Sequence, residues 1–184
     1  QNDDFYEDVV GVYSKDKPNI LDTDFVFEEF TTGLSFPTTM AFIDNDILVL
    51  QKNDGQVRHV LADGTILPNP VLDIEVSNLL ERGLLGILIK NSFVYLYYTE
   101  SIQDGGDPIG NNIYKYKWID NTLQDPVLVK SLPAYHEALI HHGGAMVVGK
   151  DGTVYAIIGD QDNQDNPRGA NILQNQFGPP DDTG

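Results

Sequence analysis

The sequence contains no cysteine, which excludes disulfide frameworks, thiolate metal sites and thiol nucleophiles. Cations are scarce: 11 Lys and Arg stand against 28 Asp and Glu in 184 residues, for a formal charge of −17. A surface of that sign repels phosphate backbones, so nucleic acid is not expected as a partner, whereas a neutral ligand or a bound cation suits it. No apolar run approaches the roughly 20 residues of a membrane-spanning helix, and the longest, such as Phe93–Tyr98, has the length of a strand. Apolar residues at helical spacing are also missing. What is present is 41% hydrophobic and 10% aromatic residues, too much for intrinsic disorder and enough for one domain with a real core.

The chain starts at Gln1 with no basic and then apolar leader behind it. Removal of an export signal would explain this, as would a boundary of another origin; the expectation is a secreted, periplasmic or extracellular protein. Residues 1–24, mixed in charge and poor in apolar positions, read as an extended arm. From Phe25 to Gly184 short β-type runs alternate with Gly, Asp, Asn and Pro. The runs are Phe25–Phe27, Ile47–Gln51, Gln56–Val60, Leu84–Ile89, Phe93–Tyr98, Asn112–Trp118, Met146–Val148 and Val154–Ile158. The fold class is all-β.

Three stretches share one shape, an apolar strand, a polar turn and a strand rich in β-branched and aromatic residues: Met40–Leu50, Gly86–Tyr97 and Ala145–Ile157. After the first and second comes another hairpin, Gln56–Val60 with Thr65–Leu67 and Ile113–Trp118 with Val127–Leu132. Four-stranded units at about 40–50 residues are propeller blades; stacked sandwich strands are the competing arrangement. Two units and the first hairpin of a third make an open arc, which exposes apolar faces and strand edges. A companion chain or missing segment completing the propeller is therefore expected. The turn-rich end, Phe177–Gly184, fits a chain that continues.

Five stretches carry a resemblance: Gly33–Phe42, Glu81-Arg-Gly-Leu-Leu-Gly86, Val94–Glu100, His141-His-Gly-Gly144 and Asp151–Asp160. In order and approximate spacing they resemble the soluble quinoprotein aldose (glucose and sorbosone-type) sugar dehydrogenases, over roughly the first half of such an enzyme. The resemblance implies a six-bladed β-propeller with pyrroloquinoline quinone (PQQ) and calcium as cofactors. It implies oxidation of the C1 hydroxyl of an aldose, with hydride passing to the quinone and electrons then to an external acceptor. His141 falls where the family has its general base, Asp160 where it has the acidic partner, and Glu81 on a polar position facing the substrate. These residue types suit the task. An imidazole titrates near neutral pH, and a carboxylate on its other nitrogen fixes the tautomer and stabilises the imidazolium.

Departures from the family pattern are Ala145, where many members have Arg, and His142, where Asn or Gln is usual. The residues that hold the quinone carboxylates, and most calcium ligands, are expected in the half outside this chain. Other readings stay open at single positions. Glu81 could pair with Arg82 or cap a backbone; His136, His141 and His142 could bind a transition metal; His142 is expected to be structural and His59 a polar-face residue. Asp160–Asn166 is rich in oxygen donors but lacks the Gly at position six and the Glu at position twelve of an EF-hand, so a solvated loop or a different calcium site remains. The tyrosines Tyr95, Tyr97, Tyr98, Tyr114 and Tyr116 with Trp118 read as blade packing rather than a sugar platform. The alternative function is a non-catalytic propeller of the same lineage that binds a ligand or protein.

Overall fold

The computed structural model describes residues 21–161. The chain divides into two units, Gln1–Thr32 and Gly33–Gly184. Of the first, residues 21–32 are described; they hold no strand, and Phe25 and Val26 are exposed. The expected run Phe25–Phe27 is therefore not a strand. Its β-type side chains find no ladder partner among the described residues, and propensity alone does not make a strand. Most of the arm expected over residues 1–24 lies outside the described residues.

The second unit is all-β, with no helix among the described residues. Strands β1 (Pro37–Ile43), β2 (Asp46–Gln51), β3 (Gln56–Val60) and β4 (Leu72–Asp73) form one antiparallel sheet in chain order. Strands β5 (Leu84–Lys90), β6 (Phe93–Glu100), β7 (Gly110–Ile119) and β8 (Thr122–Leu132) form a second, and β9 (Met146–Val148) with β10 (Val154–Ala156) a two-stranded third. The tight turns fall on the residues that tolerate positive φ. Asp120 and Asn121 between β7 and β8 both adopt it, at 50° and 58°, as a two-residue hairpin turn requires.

One expected strand is displaced. Thr65–Leu67 does not form the fourth strand of the first sheet; it makes a single bridge, Ile66 to Val60, and the ladder resumes at Leu72. Pro68 and Pro70 intervene. Each lacks an N–H, and each restricts the residue before it, so continuous pairing stops there.

Alternation along the strands builds the core. Leu48 and Leu50 of β2 meet Val94 and Leu96 of β6 in one cluster between the first two sheets, while Ile47 and Val49 point to the opposite face with Val60 and Leu34. Leu48, Leu50, Val57, Val94 and Leu96 have no exposed surface, and each such side chain contributes about 1.5–3 kcal/mol.

The leading strands of successive sheets lie against one another, β1 on β5 and β5 on β9. Thr38 Oγ1 donates to the Leu84 carbonyl at 3.0 Å. Gly86 of β5 has no room for a side chain because the Gly144 carbonyl, just before β9, occupies that place. Meander sheets whose first strands meet side by side are blades around an axis. The described residues of the second unit form part of a β-propeller.

Candidate functional site

The segments leading into β5 and β9 are tied together twice. The Glu81 N–H donates to the Leu139 carbonyl at 3.1 Å, and the Glu81 carboxylate accepts the His141 N–H at 2.5 Å. The β9–β10 hairpin continues past its strands, since Ile157 N–H bonds Ala145 O, Gly144 N–H bonds Ile157 O and Gln161 N–H bonds His141 O. Antiparallel register thus carries Asp160 to His141 across 19 residues. His141 itself sits at φ 60°, in the left-handed region that costs a non-Gly residue on the order of 1–3 kcal/mol. The Glu81 carboxylate on its N–H helps hold it there.

The imidazole Nδ1 of His141 lies 2.8 Å from Asp160 Oδ1. An ionised carboxylate only accepts, so Nδ1 carries the hydrogen, and the neutral form of the ring then presents its lone pair at Nε2. The two side chains are 52% and 36% exposed, so a ligand can reach the ring. An oriented imidazole with its second nitrogen open is an arrangement that takes a proton from a hydroxyl. Glu81, His141 and Asp160, singled out in the sequence, are therefore brought together. Glu81 engages His141 by capping its backbone, and not by pairing with Arg82.

Arg82 has a different task, which the sequence did not disclose. It is 3% exposed, and its NH2 nitrogen donates to the carbonyls of Tyr135, His136 and Ala138 at 2.6, 2.8 and 2.8 Å. It gathers the loop that leads to His141. Lys52 does likewise on the β5 side, donating to the Asn78, Leu80 and Arg82 carbonyls at 3.1, 2.8 and 2.9 Å. Burial lowers the pKa of both cations from the usual range. Gln161, also missed, is 1% exposed; it donates to Pro133 O at 2.6 Å and accepts from Tyr135 N–H at 3.2 Å.

His142 is 1% exposed. Its Nε2 lies 2.8 Å from Ala138 O, and its carbonyl accepts the Tyr97 hydroxyl at 2.7 Å. Burial pushes its pKa down to about 4, so the ring is neutral at pH 7 and serves packing. His136 instead faces Asp107 at 3.0 Å on the surface. The three histidines do not converge, and among the described residues no group of three or more His, Asp or Glu can hold a metal. His59 is corrected too: it is 3% exposed, bonded to Asp46 at 2.9 Å and edge-on to Trp118. Except for Asp160 and Gln161, the donor-rich stretch to Asn166 lies outside the described residues.

A quinone with several carboxylates needs cationic partners, and calcium needs 6–8 oxygens. Among the described residues, Lys52 and Arg82 near the dyad are engaged by backbone carbonyls, and no metal ligand set is formed. The described residues therefore do not by themselves fit either group.

Among solved structures the chain is similar to the PQQ-bound aldose sugar dehydrogenase of Streptomyces coelicolor, with TM-score 0.60 and 24% identity over 77% of this chain and 43% of that one. It is also similar to a glucose dehydrogenase, with TM-score 0.64 and 20% identity over 74% and 41%. Among curated proteins it is 27% identical over 177 residues to the Hedgehog-interacting protein of Mus musculus, covering 84% of this chain and 24% of that protein. The chain thus spans about a quarter of that relative's length and about two fifths of the solved structures. The family model described as glucose/sorbosone dehydrogenase matches residues 34–179. With most of its length inside that match and its sheets arranged as blades, the chain belongs to the glucose/sorbosone dehydrogenase family.

Proposed function

We propose that the protein carrying this chain oxidises the C1 hydroxyl of an aldose, with His141 as the base that takes the hydroxyl proton. The observation that carries this reading is the 2.8 Å contact of His141 Nδ1 with Asp160, beside Glu81 and on a side chain that is half-exposed. As the proton arrives at Nε2, the Asp160 carboxylate stabilises the imidazolium without itself taking the proton. Glu81 fixes the backbone of His141 and contributes a carboxylate to the substrate side, where it accepts a sugar hydroxyl. PQQ is the cofactor of this reading, supplying a hydride acceptor when bound; the bound state of the Streptomyces coelicolor relative supports it. Calcium belongs to the same reading by resemblance only. An external electron acceptor, a further segment or companion chain that completes the propeller, and a secreted or periplasmic location go with it. Exposed Val127, Leu128 and Val129 on β8 and Met40 and Phe42 on β1 support the need for further blades.

The second reading is a non-catalytic propeller that binds a protein. It is favoured by the 27% identity to a relative named for its interaction with Hedgehog. Turnover separates the two. The intact protein, supplied with PQQ and calcium, is offered a panel of aldoses while the quinone absorbance is followed. Sugar-dependent change supports the enzyme; its absence across the panel, with quinone shown to be bound, supports the binding module.

A further inference from the structure

Lys52 stands in the turn after β2, and its backbone is fixed from two sides. Its N–H donates to the Phe36 carbonyl at 3.0 Å, and its carbonyl accepts the Leu84 N–H at 3.0 Å. The next carbonyl, that of Asn53, accepts Asn78 Nδ2 at 2.7 Å. The half-buried side chain then brings one nitrogen, Nζ, to the carbonyls of Asn78, Leu80 and Arg82. An ammonium has three N–H donors and no acceptor, so the three carbonyls use all of them. Residues two apart in an extended chain are spaced by about 6.6 Å, too far for one nitrogen to serve three such carbonyls. Residues 78–82 are therefore curled about the ammonium. Leu80, at the centre, adopts φ 51°, a left-handed conformation that a leucine takes only under restraint.

Glu81 lies inside that curl, between two of the bound carbonyls. Its N–H is on the Leu139 carbonyl and its carboxylate on the His141 N–H, where His141 is itself left-handed at φ 60°. A continuous path thus runs from the ammonium through the backbone of residues 80–82 and the Glu81 carboxylate to the backbone of His141. We propose that Lys52 is a positioning residue for the base: it sets the backbone of His141 through Glu81 and does not touch substrate. Without the ammonium, three carbonyl oxygens face one another with no donor, the curl opens and Glu81 withdraws from His141. The left-handed residue then relaxes, and a shift of about 1 Å at a reacting group lowers rate about 10²-fold. The inference rests on the reading of His141 as the base, so one arm of its test is independent of turnover.

That arm is hydrogen exchange of the His141 amide, read by NMR in the intact protein. Lys52→Met should speed it about tenfold while the ladder amides of β6 keep their wild-type rates, as local opening requires. Lys52→Arg, which retains charge and donors, should restore most of the protection. The second arm is kcat for aldose oxidation by Lys52→Met, Glu81→Ala and the double variant. Lys52→Met is expected to lose about 10–10²-fold. The double variant should match Glu81→Ala alone, because residues on one path do not act additively, whereas independent residues multiply their effects. Lys52→Gln, which keeps two donors, takes the place of Lys52→Met in both arms should the latter not fold. Wild-type exchange at His141, equal acceleration along the β6 ladder, or multiplied kcat losses in the double variant overturns the proposal. The expected exchange in a protein that turns over no aldose supports the Lys52–Glu81–His141 linkage and refutes the dehydrogenase reading instead.

Discussion

Gly159→Ala tests how the hairpin delivers its two side chains. A Cβ at residue 159 would lie 2.5 Å from the His141 carbonyl carbon and 3.0 Å from the His141 Cβ. Non-bonded carbons settle at about 3.5–4.0 Å, so the two segments must separate by about 1 Å. The nearest obstacle is backbone, so no side-chain rotation relieves it. The His141–Asp160 bond of 2.8 Å then opens past the about 3.2 Å limit of a good hydrogen bond. Overpacking of this kind destabilises by about 1–3 kcal/mol, and a misplacement of about 1 Å at a reacting group lowers rate about 10²-fold. The assay pairs denaturant unfolding with aldose turnover by the intact protein. A Gly159→Ala protein with wild-type turnover and wild-type stability would refute the reasoning.

His142 predicts a pH dependence of stability. Its pKa is about 4 when folded and about 6.5 unfolded, so between these values the unfolded chain binds a proton that the native one does not. Stability is then full above about pH 6.5 and falls toward pH 4 by about 3 kcal/mol. Unfolding titrations should show that slope in the wild type and lose it in His142→Gln; the same slope in both would contradict the assignment. Arg82→Met should destabilise by about 3 kcal/mol or more, because three carbonyls lose a buried charged donor. A change below about 1 kcal/mol would mean that water replaces the guanidinium readily.

The blades were legible because their cause is local. The alternation of Gln56–Val60 in β3, the Asp-Asn turns and the repeated hairpin shape all act over a few residues, and the structure follows them. The Thr65–Leu67 strand failed because Pro68 and Pro70 outweigh the apolar pattern beside them. Phe25–Phe27 failed because a strand also needs a partner, which composition does not reveal. His141 and Asp160 were found through motif context, and the hairpin register explains why residues so spaced meet. Arg82 and Gln161 went unseen since their partners are backbone groups of Pro133 to Ala138, which carry no side-chain signature. His59 looked like a solvent-facing residue on an alternating strand; packing against Trp118 of the second sheet buries it.

The most direct measurement is kcat for aldose oxidation by the intact, PQQ-loaded protein and its His141→Gln variant, with thermal midpoints alongside. The side chain of His141 is half-exposed and bonds Asp160, so folding should be unchanged while kcat falls about 10²–10⁴-fold. A His141→Gln protein that oxidises the sugar at the wild-type rate would contradict the account.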